Sequence, residues 1–348
     1  MSDKIIGYWL LGCSGLVFGA VILGGITRLT ESGLSMVRWH IIKGMKPPSC
    51  HEEWLKEFET YKLYPEYKFS KHNITLEEFK RIFYMEYLHR MWGRLIGVAF
   101  AVPAVYFLSR GRISKAMKPR LAIYFSLLVF QGLLGWHMVK SGLVEDNRTR
   151  SIPRVSQYRL MAHLGSAFLL YAGLFWSGLS YLIKPKQLSE SPKLKALRIL
   201  SHGNLGIIFT TVLAVGAIVA GLDAGLVYNS FPKMAGKWIP EDIMAISPKW
   251  RNFTENSTTA QFTHRVLGLT TLTSIFGLWC FARPLTLPRR ARLATNCLLA
   301  MSGVQVSLGI TTLLYYVPTP LAASHQAGSL LLFTNALWLA YELRKMKF

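Results

Sequence analysis

Apolar residues in this chain gather into eight long runs separated by polar segments. The runs cover residues 5–27, 82–108, 121–139, 160–183, 199–222, 262–282, 293–317 and 321–341. Each is close to or above the ~20 residues that an α-helix needs to cross a hydrocarbon core. The pattern therefore predicts an all-α integral membrane protein with eight transmembrane helices. The first run carries no charge and is rich in glycine (Gly12, Gly15, Gly19, Gly24, Gly25), which lets neighbouring helices approach closely. The longest polar connection is 28–81. It predicts a short surface helix over 49–61, with Ser49 and Glu52 as a capping box. A second box, Thr75 with Glu78, should start the helix that becomes the second span.

The runs repeat in order. Gly19-Ala20-Val21-Ile22-Leu23-Gly24 matches Gly216-Ala217-Ile218-Val219-Ala220-Gly221, and His89-Arg90 matches His264-Arg265. Gln131-Gly132-Leu133-Leu134-Gly135 matches Gln305-Val306-Ser307-Leu308-Gly309, and His163 matches His325, each followed shortly by Gly-Ser. Internal repeats of this kind are common in membrane proteins. The chain reads as two pseudo-symmetric four-helix bundles, 1–183 and 184–348.

Composition agrees, with 51% hydrophobic residues. The net charge is +22, from 40 Lys+Arg against 18 Asp+Glu. In a soluble protein that would suggest nucleic acid, but here the basic residues lie in short loops between apolar runs and report topology, so no nucleic-acid partner is expected. The loops after spans two, four and six and the C-terminal tail are basic, including Lys347. The loop between spans seven and eight has no Lys or Arg, and the connection after span three has a few (Arg148, Arg150, Arg154). Both termini are placed on the inner side. No signal or transit peptide is visible before the first run. The four cysteines form no CxxC, and Cys50 alone lies in a long loop, so neither a disulfide framework nor a zinc site is indicated.

The chemistry lies in four histidines. His89, His163, His264 and His325 open the even-numbered spans, at the outer ends, one per helix. A lone histidine in an apolar helix is usually a hydrogen-bonded core residue. Two pairs at matching depth instead suit cofactor ligation between facing helices, and neutral imidazole is a standard axial ligand of haem iron. Zinc would want four clustered ligands. One bis-histidine haem per half fits best. His40, His51, His72, His137 and His202 have no counterpart and are read as solvated or structural.

Glu86 breaks the repeat, since its counterpart is Gln261. It lies nearly one turn from His89, on the same face. Its simplest structural role is an i, i+4 pair with Arg90. A carboxylate at the edge of a span, beside a metal ligand in one half only, points instead to chemistry in the first half and a permanent cofactor in the second. Arg90, Arg94 and Arg265 could meet haem propionates or lipid headgroups, with Arg90 and Arg265 ranked ahead.

These features resemble the haem A synthase family, in its mitochondrial and alphaproteobacterial branch. The resemblance spans the chain. It is carried by the string from Gly24 to Met36, by Glu86-Tyr87-Leu88-His89-Arg90-Met91-Trp92-Gly93-Arg94, by Ile152-Pro153-Arg154-Val155-Ser156-Gln157-Tyr158-Arg159, by the string from Gly221 to Pro232, and by Tyr316-Val317-Pro318-Thr319-Pro320-Leu321-Ala322. It implies oxidation of the C8 methyl of haem O to a formyl group, giving haem A for cytochrome c oxidase. It implies haem b at His264 and His325, substrate haem at His89 and His163, and Glu86 as the catalytic residue. It also implies an electron-transfer partner and a place in the mitochondrial inner membrane or bacterial plasma membrane, with a homo-oligomer left open. Some bacterial relatives carry a loop cysteine pair, which is not carried over to Cys50. Two alternatives stand beside this reading: a di-haem b-type electron-transfer cytochrome without haem-modifying activity, and a haem-free transporter using its histidines as proton relays.

Overall fold

A computed structural model of the chain describes residues 4–40, 45–144, 155–184, 186 and 188–345. Arg148, Arg150, Arg154 and Lys347 of the charge pattern, and residues 152–154 of one resemblance string, lie outside the described residues. Among the described residues the regular elements are helical, apart from an isolated bridge between Met234 and Lys237.

In chain order the helices are α1 (Lys4–Leu29), α2 (His51–Lys62), α3 (Pro65–Phe69), α4 (Leu76–Ser109), α5 (Lys118–Val144), α6 (Gln157–Leu182) and α7 (Pro192–Thr210). A π-helical turn, Thr211–Gly216, joins α7 to α8 (Ala217–Gly221). Then follow α9 (Asn252–Glu255), α10 (Ser257–Ala282), α11 (Arg289–Leu314) and α12 (Thr319–Leu343). Seven segments are long and apolar enough to cross a membrane: α1, α4, α5, α6, the α7–α8 stretch, α10 and α11. They coincide with the first seven predicted runs. Helix α12 covers the eighth run and has 25 residues, but His325, Gln326, Asn335 and Glu342 dilute its apolar character.

Local chemistry explains where helices begin. Thr75 and Glu78 form the predicted reciprocal box at the start of α4, which extends that helix six residues ahead of its apolar run. Helix α10 likewise starts at Ser257, because Asn256 Oδ1 accepts from the N–H groups of Thr258 and Thr259. The box predicted at Ser49 and Glu52 does not form. Helix α2 starts later, with Cys50 at its cap, and Ser49 gives both its N–H and its hydroxyl to Glu53 Oε2, at 2.6 and 2.9 Å. The carboxylate one residue further on reaches back over the turn.

The chain divides into two compact units: Gly12–Tyr171, here the N-terminal unit, and Met1–Leu11 with Ala172–Phe348, here the C-terminal unit. In the N-terminal unit, α1 and α4 meet closely at Gly19. A methyl group there would sit 2.8 Å from the Trp92 ring, whose N–H donates to Leu16 O at 2.7 Å. The connection between α1 and α4 forms, with the start of α4, an aromatic core of its own: Met36, Trp54, Phe58, Tyr61, Phe79 and Phe83 are buried together, with Phe58 stacked on Phe79 at 5.0 Å. Glu66 is buried beside it. Tyr61 donates to Glu66 Oε2 at 2.9 Å and the Lys71 ammonium stands 4.0 Å from Oε1. Burial raises the Glu66 pKa to about 7, against the pull of Lys71.

In the C-terminal unit, Tyr341 of α12 donates to the carbonyls of Leu179 and Ile183, and Gly7 packs against Leu182. The connection between α8 and α10 is knitted by polar groups rather than rings. Asp242 accepts from Tyr228 at 2.8 Å and from Thr258 at 2.6 Å, and Asn256 donates to Asp242 O at 2.8 Å.

The repeat holds in three dimensions with one correction of register. The matching strings pair Gly24 with Gly221. In the structure Gly24 carries the ring of His89 and Gly216 carries that of His264, so Gly24 corresponds to Gly216, a shift of five residues. The loops that follow agree with this register, since Glu31 and Asp223 both adopt left-handed conformations, at φ 48° and 49°, two residues before Gly33 and Gly225. Small-residue helices resemble themselves at several offsets, so a string match does not fix their register.

Candidate functional site

Helix α4 presents Glu86 and Arg90 at i and i+4 toward the chain that follows α1. Glu86 is 3% exposed. Arg90 Nη2 donates to its Oε1 at 2.5 Å. Its Oε2 accepts from Ser35 Oγ and from the Met36 N–H, both at 2.7 Å. Arg90 also donates to Met36 O at 2.8 Å and Arg38 O at 3.1 Å, and its guanidinium lies 4.3 Å from the centre of the Trp39 ring. The ion pair expected from i, i+4 spacing is thus present, within a clamp on the segment 35–39.

Helix α10 repeats the device with different polarity. Gln261 is also 3% exposed. Its Nε2 donates to Ala224 O at 2.7 Å and to Val227 O. Arg265 Nη2 donates to Gln261 Oε1 at 2.7 Å and to Tyr228 O at 2.8 Å. Tyr228 corresponds to Met36 in the corrected register, so the two arginines hold equivalent carbonyls. Both arginines keep a buried Nε that has no partner among the described residues.

Each histidine ring lies over a glycine of a neighbouring helix. A methyl on Gly24 would meet His89 Cε1 at 3.0 Å, and one on Gly135 would meet His163 Cε1 at 3.5 Å. In the other unit, one on Gly216 would meet His264 at 3.5 Å and one on Gly309 would meet His325 at 2.8 Å. His264 and His325 come together with ring centres 6.2 Å apart and planes at 88°. Two imidazoles sharing one metal ion need about this separation, roughly 2 Å from metal to each nitrogen plus the ring radii. The Nδ1 atoms of His89, His163 and His264 are buried without partners among the described residues. Orphaned buried nitrogens are costly, and a bound ligand would account for the geometry. Among the described residues no three or more His, Cys, Asp or Glu side chains gather as a metal cluster. The spacing of His264 and His325, with a glycine face beside each ring, therefore fits a ligand held between two imidazoles, and His89 and His163 have the same glycine faces.

Gln131 and Gln305 were visible as repeat partners but carried no assigned role. Gln131 donates to His163 O at 3.1 Å and Gln305 to His325 O at 2.8 Å, and the Gln305 amide nitrogen also lies 3.1 Å from His325 Nδ1. They fix the helices that bear the second histidine of each pair. Arg94 turns to His40 O at 3.1 Å. His40, His51, His72, His137 and His202 are exposed.

Fold and site define an all-helical, membrane-type protein with histidine pairs on long apolar helices. The sequence matches the family COX15-CtaA, described as cytochrome oxidase assembly protein, over residues 7–337. It is 57% identical to heme A synthase COX15 of Homo sapiens over 345 residues, 99% of this chain and 84% of that protein. It is 46% identical to heme A synthase of Nitrosospira multiformis over 343 residues, covering 99% and 94% of the two chains. With heme A synthase of Parvibaculum lavamentivorans the identity is 42% over 344 residues, covering 99% and 96%. The chain belongs to the COX15-CtaA family of cytochrome oxidase assembly proteins.

Proposed function

We propose that this chain is a haem A synthase that oxidises the C8 methyl of haem O to a formyl group. Relatives of that name match 99% of the chain, which favours this reading over a di-haem cytochrome that only moves electrons. In the proposal eight helices cross the membrane, α12 being the eighth, as two four-helix bundles with both termini inside. The membrane is the mitochondrial inner membrane or the bacterial plasma membrane.

His264 and His325 would hold a resident haem b, which when bound would relay electrons, with an electron-donor protein as the partner. His89 and His163 would hold the substrate haem, with Gly24 and Gly135 leaving room for its faces. Oxidising a methyl group removes protons as well as electrons, and Glu86, one turn from His89, is the carboxylate placed to accept a proton, while the electrons must leave by another route. Its orientation is fixed by Arg90, Ser35 and the Met36 N–H. The single observation carrying the division of labour is the Glu86/Gln261 difference, within a repeat that otherwise preserves arginine, glutamine, histidine and glycine.

A haem extract of the purified protein, made with and without a supply of haem O, tests the reading. Haem A or partly oxidised haem O should form only with the supply, beside a constant amount of haem b. Haem b alone under both conditions would return the chain to the electron-transfer class.

A further inference from the structure

At the outer end of α5 lies a cavity of about 310 Å³, walled by Trp39, Tyr64, Trp136, Val139 and Lys140 among others. It adjoins the proposed substrate site through Gly135, whose face is shared by His163 and, at 4.0 Å, by the Trp39 ring. Five residues separate Gly135 from Lys140, so the ammonium stem starts about 7.5 Å further along the helix axis toward the outer end. The cavity is too small for a macrocycle and of a size for one substituent.

The cavity lining is not part of the repeat. Gln131 and Gly135 correspond to Gln305 and Gly309, and in the same register Trp136 and Lys140 correspond to Ile310 and Leu314. A cation and an indole thus stand in the unit assigned to substrate, where the unit assigned to resident haem has two aliphatic side chains. Among the described residues the recorded contact of the Lys140 ammonium is with the Trp136 ring, 4.9 Å from its centre. Arg90, the other cation near Trp39, already serves Glu86 and two backbone carbonyls.

We propose that this cavity receives a propionate of the substrate haem and that Lys140 pairs with its carboxylate, giving the substrate half a releasable contact that the resident half lacks. The proposal rests on the haem A synthase reading and on the assignment of His163 to substrate. A single lysine at an open cavity suits a ligand that must leave after turnover, because such a pair is weak and exchanges readily with water. Trp39 and Trp136 wall the carboxylate's approach and lower its contact with solvent.

The test uses the full-length protein with haem O and with haem O dimethyl ester, in which both propionates are neutral. Lys140→Leu should raise KM for haem O about fivefold, as expected for a partly exposed charge pair. The kcat and the haem b content should stay unchanged, and Lys140→Arg should restore most of the loss. On the dimethyl ester, wild type and Lys140→Leu should have the same KM. Equal KM values on haem O would overturn the proposal, and so would an equal loss on the ester, which would mark Lys140 as a membrane-interface anchor. A wild type that forms no haem A from haem O sinks the enzymatic reading itself and this proposal with it. Normal wild-type turnover with an unaltered variant sinks only the carboxylate contact.

Discussion

In the N-terminal unit the loop after α1 turns the N–H of Met36 toward α4, and Glu86 accepts from it. In the C-terminal unit the loop after α8 turns the carbonyls of Ala224 and Val227 toward α10, and Gln261 donates to them. Both arginines meanwhile hold the same kind of partner, the carbonyls of Met36 and Tyr228. The difference between glutamate and glutamine therefore has a structural cause as well as the chemical one proposed above. A carboxylate at 261 would face two carbonyls. An amide at 86 could accept from the Met36 N–H only by turning its own N–H₂ toward Arg90. Stability and turnover must be measured separately to tell the two causes apart.

The largest expected effect separates the units outright. If the proposed assignment holds, His264→Ala or His325→Ala should abolish retention of haem b, because one of the two histidines that would hold it is gone. Haem b per purified protein checks this, and unchanged content with an unchanged spectrum would break the assignment of the resident site. Next comes the exchange of polarity. Glu86→Gln should lower haem A formed per haem b retained by about a hundredfold, the scale of a lost proton acceptor. Near-normal turnover per haem b, with only a lower yield of folded protein, would leave Glu86 as a loop clamp. The reverse change, Gln261→Glu, should cost about 2 kcal/mol through unpaired buried acceptors. It should appear as a lower midpoint for thermal loss of haem b.

A smaller contrast concerns the glycine faces. Gly309→Ala sets a methyl 2.8 Å from the His325 ring and should displace it, weakening haem b retention. Gly135→Ala stands at an ordinary 3.5 Å from His163 and should leave haem O affinity within about twofold. Equal behaviour of the two variants would erase that distinction. The smallest effect is in the connections after α1 and α8, which should respond to pH in opposite senses. Glu66 has a folded pKa raised to about 7, so its protonated form stabilises the loop at low pH. That contribution falls away as pH rises from about 4.5 through 7. Asp242 has a folded pKa lowered, chiefly by the Thr258 hydroxyl, so its contribution is present above about 4 and fades in acid. Amide exchange near Tyr61 should show protection falling as pH rises from about 4.5 to 7, and exchange near Asn256 should show protection falling only as pH drops below about 4. Protection that moves together, or a Glu66→Gln variant that keeps the Tyr61 response, would contradict it.

Seven of the apolar runs were legible as helices because their length and composition act locally. Thr75 and Glu78 were legible for the same reason. The pairing of Glu86 with Arg90 could be read from i, i+4 spacing. What could not be read was the return of Ser35, Met36 and Trp39 onto that pair, since nothing local in either segment announces a contact some fifty residues away. Gln131 and Gln305 stood out as repeats, but their work on the histidine carbonyls depends on a helix packing that the strings do not encode. The five-residue error at Gly24 has the same origin: glycine spacing says that helices approach closely and leaves open which glycine meets which ring.

Helix α12 has a consequence for how the protein is made. Its last two-thirds, from Gly328 to Leu343, is lined with buried side chains, yet the helix is too polar to match the other long helices in apolar character. In the proposed arrangement such a segment enters the bilayer at a disadvantage unless earlier helices already offer it a surface, with α11 next to it in the chain. It leaves the ribosome after the helices that precede it, and it carries His325. A haem held between His264 and His325, as proposed, could therefore be gripped on both sides only once α12 has been made and has docked. Loading of that haem would then act as a checkpoint on the docking of α12, and a chain truncated before residue 319 should be inserted, lack haem b and be short-lived.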